Sequence, residues 1–144
     1  MRIKNKTRWL ILLAGLLGCG SAAAAQDVVL VANKSVQISE ISAADLRAIF
    51  VGAKTRFADG SHAVPVILKG GAVHEVFLKK HIGQDPEAFR AQWRKEVFTG
   101  VGAMPKVCDS EAALLEYVAA TPGAVGYVSR ISPQDRVKAI SAIK

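Results

Sequence analysis

The stretch VPVILKGGAVHEVFLKK, Val64 to Lys80, decides how the chain is read. Val64–Leu68 is an apolar run of strand length, and the pair Gly70-Gly71 turns the chain. Val73, Val76, Phe77 and Lys80 then fall at helical spacing, and Gly83 suits the helix end. Strand, glycine turn and helix form a layout in which backbone N–H groups and the positive helix end hold an anion. Pro65 cannot donate to a ladder, so it belongs at the strand start or at an edge.

The same alternation repeats on either side. DVVLVA (Asp27 to Ala32) reads as a strand covered on both faces. SAADLRAIFVG follows as a helix, with Ser42 and Asp45 resembling a capping box, Leu46, Ile49 and Phe50 on one face and Gly52 as the stop. Asp85-Pro86-Glu87 opens another helix, Asp as N-cap and Pro at the first position, whose buried face is predicted as Phe89, Trp93 and Val97. FTGVGAMP reads as loop. Asp109 or Ser110 then caps a helix with a Leu114, Leu115 and Val118 stripe. Thr121-Pro122-Gly123 breaks that helix, AVGYV (Ala124 to Val128) is a buried-strand pattern, and the tail RVKAISAI adds a final strand. The order predicts an α/β domain with a mixed, mostly parallel sheet.

The first 25 residues have a different character. Arg2, Lys4, Lys6 and Arg8 precede the apolar run WLILLAGLLG and the small residues CGSAAAA, which is the order of a secretory signal. The run falls short of the roughly 20 apolar residues of a membrane span. Two processing readings follow: cleavage after Ala25, or lipidation of Cys19 in LLGC, which would tether the protein to a membrane. Cleavage is the favoured reading, because Leu17 is large for the lipidation pattern. It leaves residues 26–144, about one compact domain. The 19 Lys and Arg, less the four in this leader, stand against 12 Asp and Glu, a net charge of about +3. No dense basic stripe remains, which argues against nucleic acid as a partner. Cys108 would then be alone and form no internal disulfide; it reads as a half-buried thiol near a helix start.

Chemistry-bearing patterns are sparse. His62, His74 and His81 read as surface histidines, and the seven-residue step from His74 to His81 is too long for one shared metal ion. No G-x-S-x-G elbow is present. Glu75 with Lys79, and Glu87 with Arg90, fit ion pairs along helix surfaces. Lys79, Lys80, Arg90, Arg94 and Lys95 read as a solvated face, and GVGAMP lacks the third glycine of a dinucleotide fingerprint. Neither a catalytic residue, a metal nor a cofactor is expected.

Three segments taken together resemble a known pattern. ISAADLRAIFVGAKTRFADG is similar to the "L…LR.IF.G…W.DG" segment of the periplasmic phosphate-binding proteins that serve ABC transporters. FRAQWRKEVFTGVGAMP and TPGAVGYVS follow in that family's order, the last matching its "PGAIGYV" strand, so the resemblance covers about Val28 to Ser129. It implies the type II periplasmic-binding-protein fold, in which ligand sits between two α/β lobes. At this length the chain corresponds to one three-layer lobe, the second, plus the crossing strand near Asn33; the first lobe is expected to be absent. The family's phosphate motif, "R-S-D-G-S-G-T", placed without gaps from Phe77, puts its Arg on Ile67, its Asp on Lys69, its Ser on Gly71, its small Gly on Ala72 and its Thr on Val73. Every polar side chain of the motif is thereby replaced. What remains over Lys69, Gly70, Gly71, Ala72, Val73 and His74 is the free helix end and Lys69, which attract an anion weakly; LKGG is read as a remnant turn in preference to a working anion site.

The resemblance implies an exported, periplasmic, non-enzymatic protein of the phosphate-transporter substrate-binding type, acting as an accessory or sensing module. The alternative is a genuine solute-binding component for phosphate or another small anion. Expected partners are a weakly held small anion such as phosphate, and a protein partner or second copy across the uncovered cleft face. A membrane enters only through a lipidated Cys19.

Overall fold

The computed structural model describes residues 27–100 and 104–144. The predicted signal segment 1–25 with Cys19, Gln26 as the N-terminus expected after cleavage, and residues 101–103 of GVGAMP lie outside the described residues. Within them, the order is β1 (Val29–Ala32), β2 (Glu40–Ser42), α1 (Ala43–Phe50), β3 (Val64–Leu68), α2 (Ala72–Phe77) running on as a π-helical turn (Leu78–Ile82), α3 (Pro86–Phe98), β4 (Lys106–Cys108), α4 (Glu111–Ala120), β5 (Ala124–Val128) and β6 (Lys138–Ile143). The six strands form a sheet in the order β2-β6-β1-β5-β3-β4. β2–β6, β5–β3 and β3–β4 pair parallel, whereas β1 lies antiparallel to both β5 and β6. The sheet is thus mixed and mostly parallel, as predicted.

β5 shows why helices cover both faces. All five of its residues are buried. A Cβ at Gly126 would lie 2.9 Å from Leu114 Cδ2 of α4 and 3.3 Å from the Val66 carbonyl oxygen, so glycine lets α4 press onto that face. The next residue points the other way. Tyr127 stacks on Phe77 of α2, with centroids 3.8 Å apart and planes at 9°, and lies 6.2 Å from the Phe50 ring of α1. Helix α4 therefore forms one outer layer, with α1 and α2 in the other.

Local caps fall where the residues place them. Ser42, Asp85 and Ser110 each accept from a backbone N–H of the first helical turn, those of Asp45, Ala88 and Ala113. Asn33 closes the other end of α4. Its buried amide donates to the Val118 and Ala119 carbonyls at 2.7 and 3.0 Å, and its Oδ1 accepts from the Ser35 N–H at 2.8 Å. That use of carbonyls a helix leaves unpaired gives Asn33 a structural role.

Four expectations need correction. The helix stripe after the glycine pair contains Leu78, not Lys80: Gly83 N–H donates to the Leu78 carbonyl at 2.7 Å, a five-residue span, and the wider turn rotates Lys80 into solvent. Val97 is exposed, because Phe89 and Trp93 already fill the α3 contact and Trp93 Nε1–H donates to the Phe50 carbonyl at 2.8 Å. Cys108 is buried at the end of a strand, where burial pushes its thiol pKa up. Among the described residues Lys54–Asp45 is the one ion pair, at 2.8 Å, and neither Glu75–Lys79 nor Glu87–Arg90 forms.

Candidate functional site

Strand β3 delivers the chain to the glycine turn. Leu68 is its last residue, and the Lys69 N–H still reaches the Cys108 carbonyl of β4 at 2.9 Å. Gly71 then takes φ 99° and ψ 172°, a conformation nearly closed to residues with a Cβ, and α2 starts immediately after it. No side chain caps this helix. The N–H groups of Gly71, Ala72 and Val73 meet no acceptor among the described residues. Lys69, Gly70, Gly71 and Ala72 are exposed, and a Cβ at either glycine would touch nothing within 4 Å. The turn is open to solvent, so its amides are reachable. Val73 is buried in the core and offers only its amide.

His74 departs from its sequence reading. It is buried, 4% exposed, not a surface residue. Its Nδ1 bonds the Tyr127 hydroxyl, which also accepts from the Leu68 N–H at 3.0 Å. Among the described residues the buried hydroxyl meets no acceptor other than His74 Nδ1, so its one proton is assigned there. Nδ1 is then an acceptor and Nε2 carries the imidazole proton. Burial lowers the His74 pKa, the Arg90 charge lowers it further, and Glu75 opposes both. Burial raises that of Tyr127, so both groups stay neutral. His81 is half-buried with its Nε2 enclosed and unpartnered among the described residues, which likewise corrects its surface assignment.

The turn borders a groove of about 370 Å³. Its walls are largely apolar, with Ile67, Phe89, Trp93, Met104 and Val107 contributing. Four side chains supply its charge and polarity: Lys69, His74, Glu75 and Arg90. Neither Lys69 nor Arg90 is engaged in an ion pair among the described residues. A second cavity of about 490 Å³ shares Trp93, Met104, Pro105 and Val107 with this groove but contains none of the glycine-turn residues. Of the predicted site residues, Lys69, Gly70, Gly71 and His74 are brought together around the groove, with Ala72 and Val73 beside them through their amides. Arg90 and the α3 aromatics were missed, because they lie 18 or more positions beyond Gly71 and no local pattern links the two.

Chemically, the arrangement offers open amides, two cations and one imidazole N–H against a single carboxylate. It suits an anion. Among the described residues lining the groove no hydroxyl or thiol is paired with a base to act as a nucleophile. Among the described residues no three His, Cys, Asp or Glu side chains gather at metal-binding spacing.

The sequence matches no protein-family model and no curated protein. Solved structures do match. A Clostridium perfringens protein assigned as a phosphate ABC transporter substrate-binding protein, with bound phosphate, is 16% identical with a TM-score of 0.61, over 80% of this chain and 44% of that one. PstS from Borrelia burgdorferi gives 16% and 0.58, over 80% and 46%. An ABC-type phosphate transport receptor from Vibrio cholerae gives 15% and 0.51, over 80% and 45%. The class defined is the α/β fold of the periplasmic phosphate-binding type, as the sequence resemblance implied. Within that class the chain spans less than half the length of the structures it matches.

Proposed function

We propose that the protein is an exported, non-enzymatic binding module of the phosphate-transporter substrate-binding type. In this reading residues 1–25 are a signal peptide and 26–144 form one periplasmic-binding-protein-like lobe acting as an accessory or sensing component. Lys69, Gly70, Gly71, Ala72, Val73 and His74 are its anion site. The observation that carries the reading is the uncapped α2 start at Gly71, its amides free and Lys69 beside them, in a fold shared with phosphate-binding proteins. No helix of the described residues is long and apolar enough to cross a membrane.

A second reading, a genuine phosphate-binding component of a transporter, is favoured by Arg90 and the His74 Nε2–H. Both border the groove and compensate in part for the hydroxyls that the turn lacks. Protein contacts are supported by Phe98, 93% exposed, and Met104, 54% exposed.

Calorimetric titration of the purified protein with phosphate, against sulfate, separates the readings. The accessory module binds phosphate weakly, in the millimolar range, and a transporter component binds it in the micromolar range. Lys69→Ala should weaken binding about fivefold, the roughly 1 kcal/mol of an exposed charge-assisted contact. Absence of heat with either anion contradicts the anion site in both readings and leaves the accessory module a protein partner only.

A further inference from the structure

The groove is much larger than phosphate needs. A water's share of liquid volume is about 30 Å³, and a tetrahedral oxyanion is on the order of twice that. The groove measures about 370 Å³, within the range of pockets that hold small organic ligands. Much of its wall is carbon: Phe89 and Trp93 are buried on α3, and Met104 and Val107 are partly exposed. An ion with a full hydration shell gains nothing from such walls, whereas a ligand with an apolar body does.

The polar groups stand beside these walls: the His74 and Phe89 rings lie edge to face with centroids 6.3 Å apart. Lys69 and the open glycine turn lie beside His74, itself a lining residue and only 4% exposed. Arg90 is near enough to His74 to lower its pKa. These groups donate and carry positive charge; Glu75 is the one opposing carboxylate in the groove.

We infer that the groove binds an organic anion with a compact apolar body, such as an aryl or short-chain phosphate monoester. The phosphoryl end sits at Lys69, His74 and Arg90, and the body lies against Phe89, Trp93 and Met104. This rests on the anion-site reading above and narrows its ligand class. Burying about 60 Å² of additional apolar surface, at about 25 cal/mol per Å², gives a tenfold gain in affinity.

The test is calorimetric titration of the purified protein with phenyl phosphate, inorganic phosphate and phenol in one buffer. Phenyl phosphate should bind at least tenfold more tightly than phosphate, and phenol should bind more weakly than phenyl phosphate by the same margin or more. Met104→Ser, a change at a half-exposed position, should reduce that preference severalfold. Equal affinities for phenyl phosphate and phosphate overturn this inference and leave the anion site standing. Phenol binding as tightly as phenyl phosphate overturns the placement of charge at Lys69, His74 and Arg90. Binding by none of the three removes the anion-site reading itself, and this inference with it.

Discussion

Tyr127→Phe removes one oxygen atom and nothing else, and that oxygen joins three elements. It accepts from the Leu68 N–H of β3 at 3.0 Å and donates to His74 Nδ1 of α2, while its own ring lies on β5. The stack on Phe77 at 3.8 Å survives in the variant, so no cavity forms. What the variant loses is hydrogen bonding in a buried place. Leaving one buried donor or acceptor unmet costs about 1–3 kcal/mol. Two are left, the Leu68 N–H and the His74 nitrogen, and His74 can recover part of its loss by moving its proton. The expected cost is about 2–4 kcal/mol. With a urea m-value near 2 kcal/mol per M for a domain of this size, the midpoint should fall by roughly 1–2 M with the slope unchanged. Circular dichroism reads both quantities. A midpoint shift below about 0.3 M would show that the hydroxyl bridges nothing of consequence, and the His74 tautomer argued above would fall with it.

Two further outcomes follow from the same geometry. Gly123→Ala should cost about 3 kcal/mol or more, because the residue has φ +77° and its new Cβ would stand 2.3 Å from the His62 carbonyl oxygen; Gly60→Ala, at φ +86° with nothing within 4 Å, should cost only the roughly 1–2 kcal/mol of left-handed strain. Paired urea titrations compare them, and equal losses would contradict the packing at Gly123. Stability should also depend on pH through His74 and His81, both lowered from 6.5 chiefly by burial. The unfolded chain binds more protons than the native one below that value, so their contribution is complete above about pH 7 and is lost as pH falls through 6.5. Urea midpoints at pH 7.5 and 5.5 check the sign; a midpoint that rises on acidification contradicts the burial of these rings.

The elements that could be read from sequence are those whose signals are local. AVGYV is apolar throughout and became the fully buried β5, and Asp85-Pro86 and Ser42 mark helix starts by chemistry within one turn. β2 and β4 could not be read. Each has three residues, too few for a period to show, and each lies at an edge of the sheet where pairing decides its state. His74 looked like a surface residue because its partner, Tyr127, is 53 positions away. The π-helical turn after Phe77 changed the phase that a regular helix would keep, exchanging Lys80 for Leu78. Of the site, the glycine turn and Lys69 were legible as a strand–glycine–helix pattern. Arg90 and Phe89 were not, since α3 brings them to the groove only in the folded chain.

The central claim is that an anion is held at the glycine turn. Its most direct test is phosphate titration of the isotopically labelled protein, followed by the backbone amide resonances of each residue. The account predicts that Gly71, Ala72 and Val73 shift first and most, saturating together with those next to Lys69 and His74, and that Lys69→Ala reduces the shifts at every one. Phosphate-dependent shifts spread over surface lysines with the Gly71–Val73 amides unmoved would contradict it.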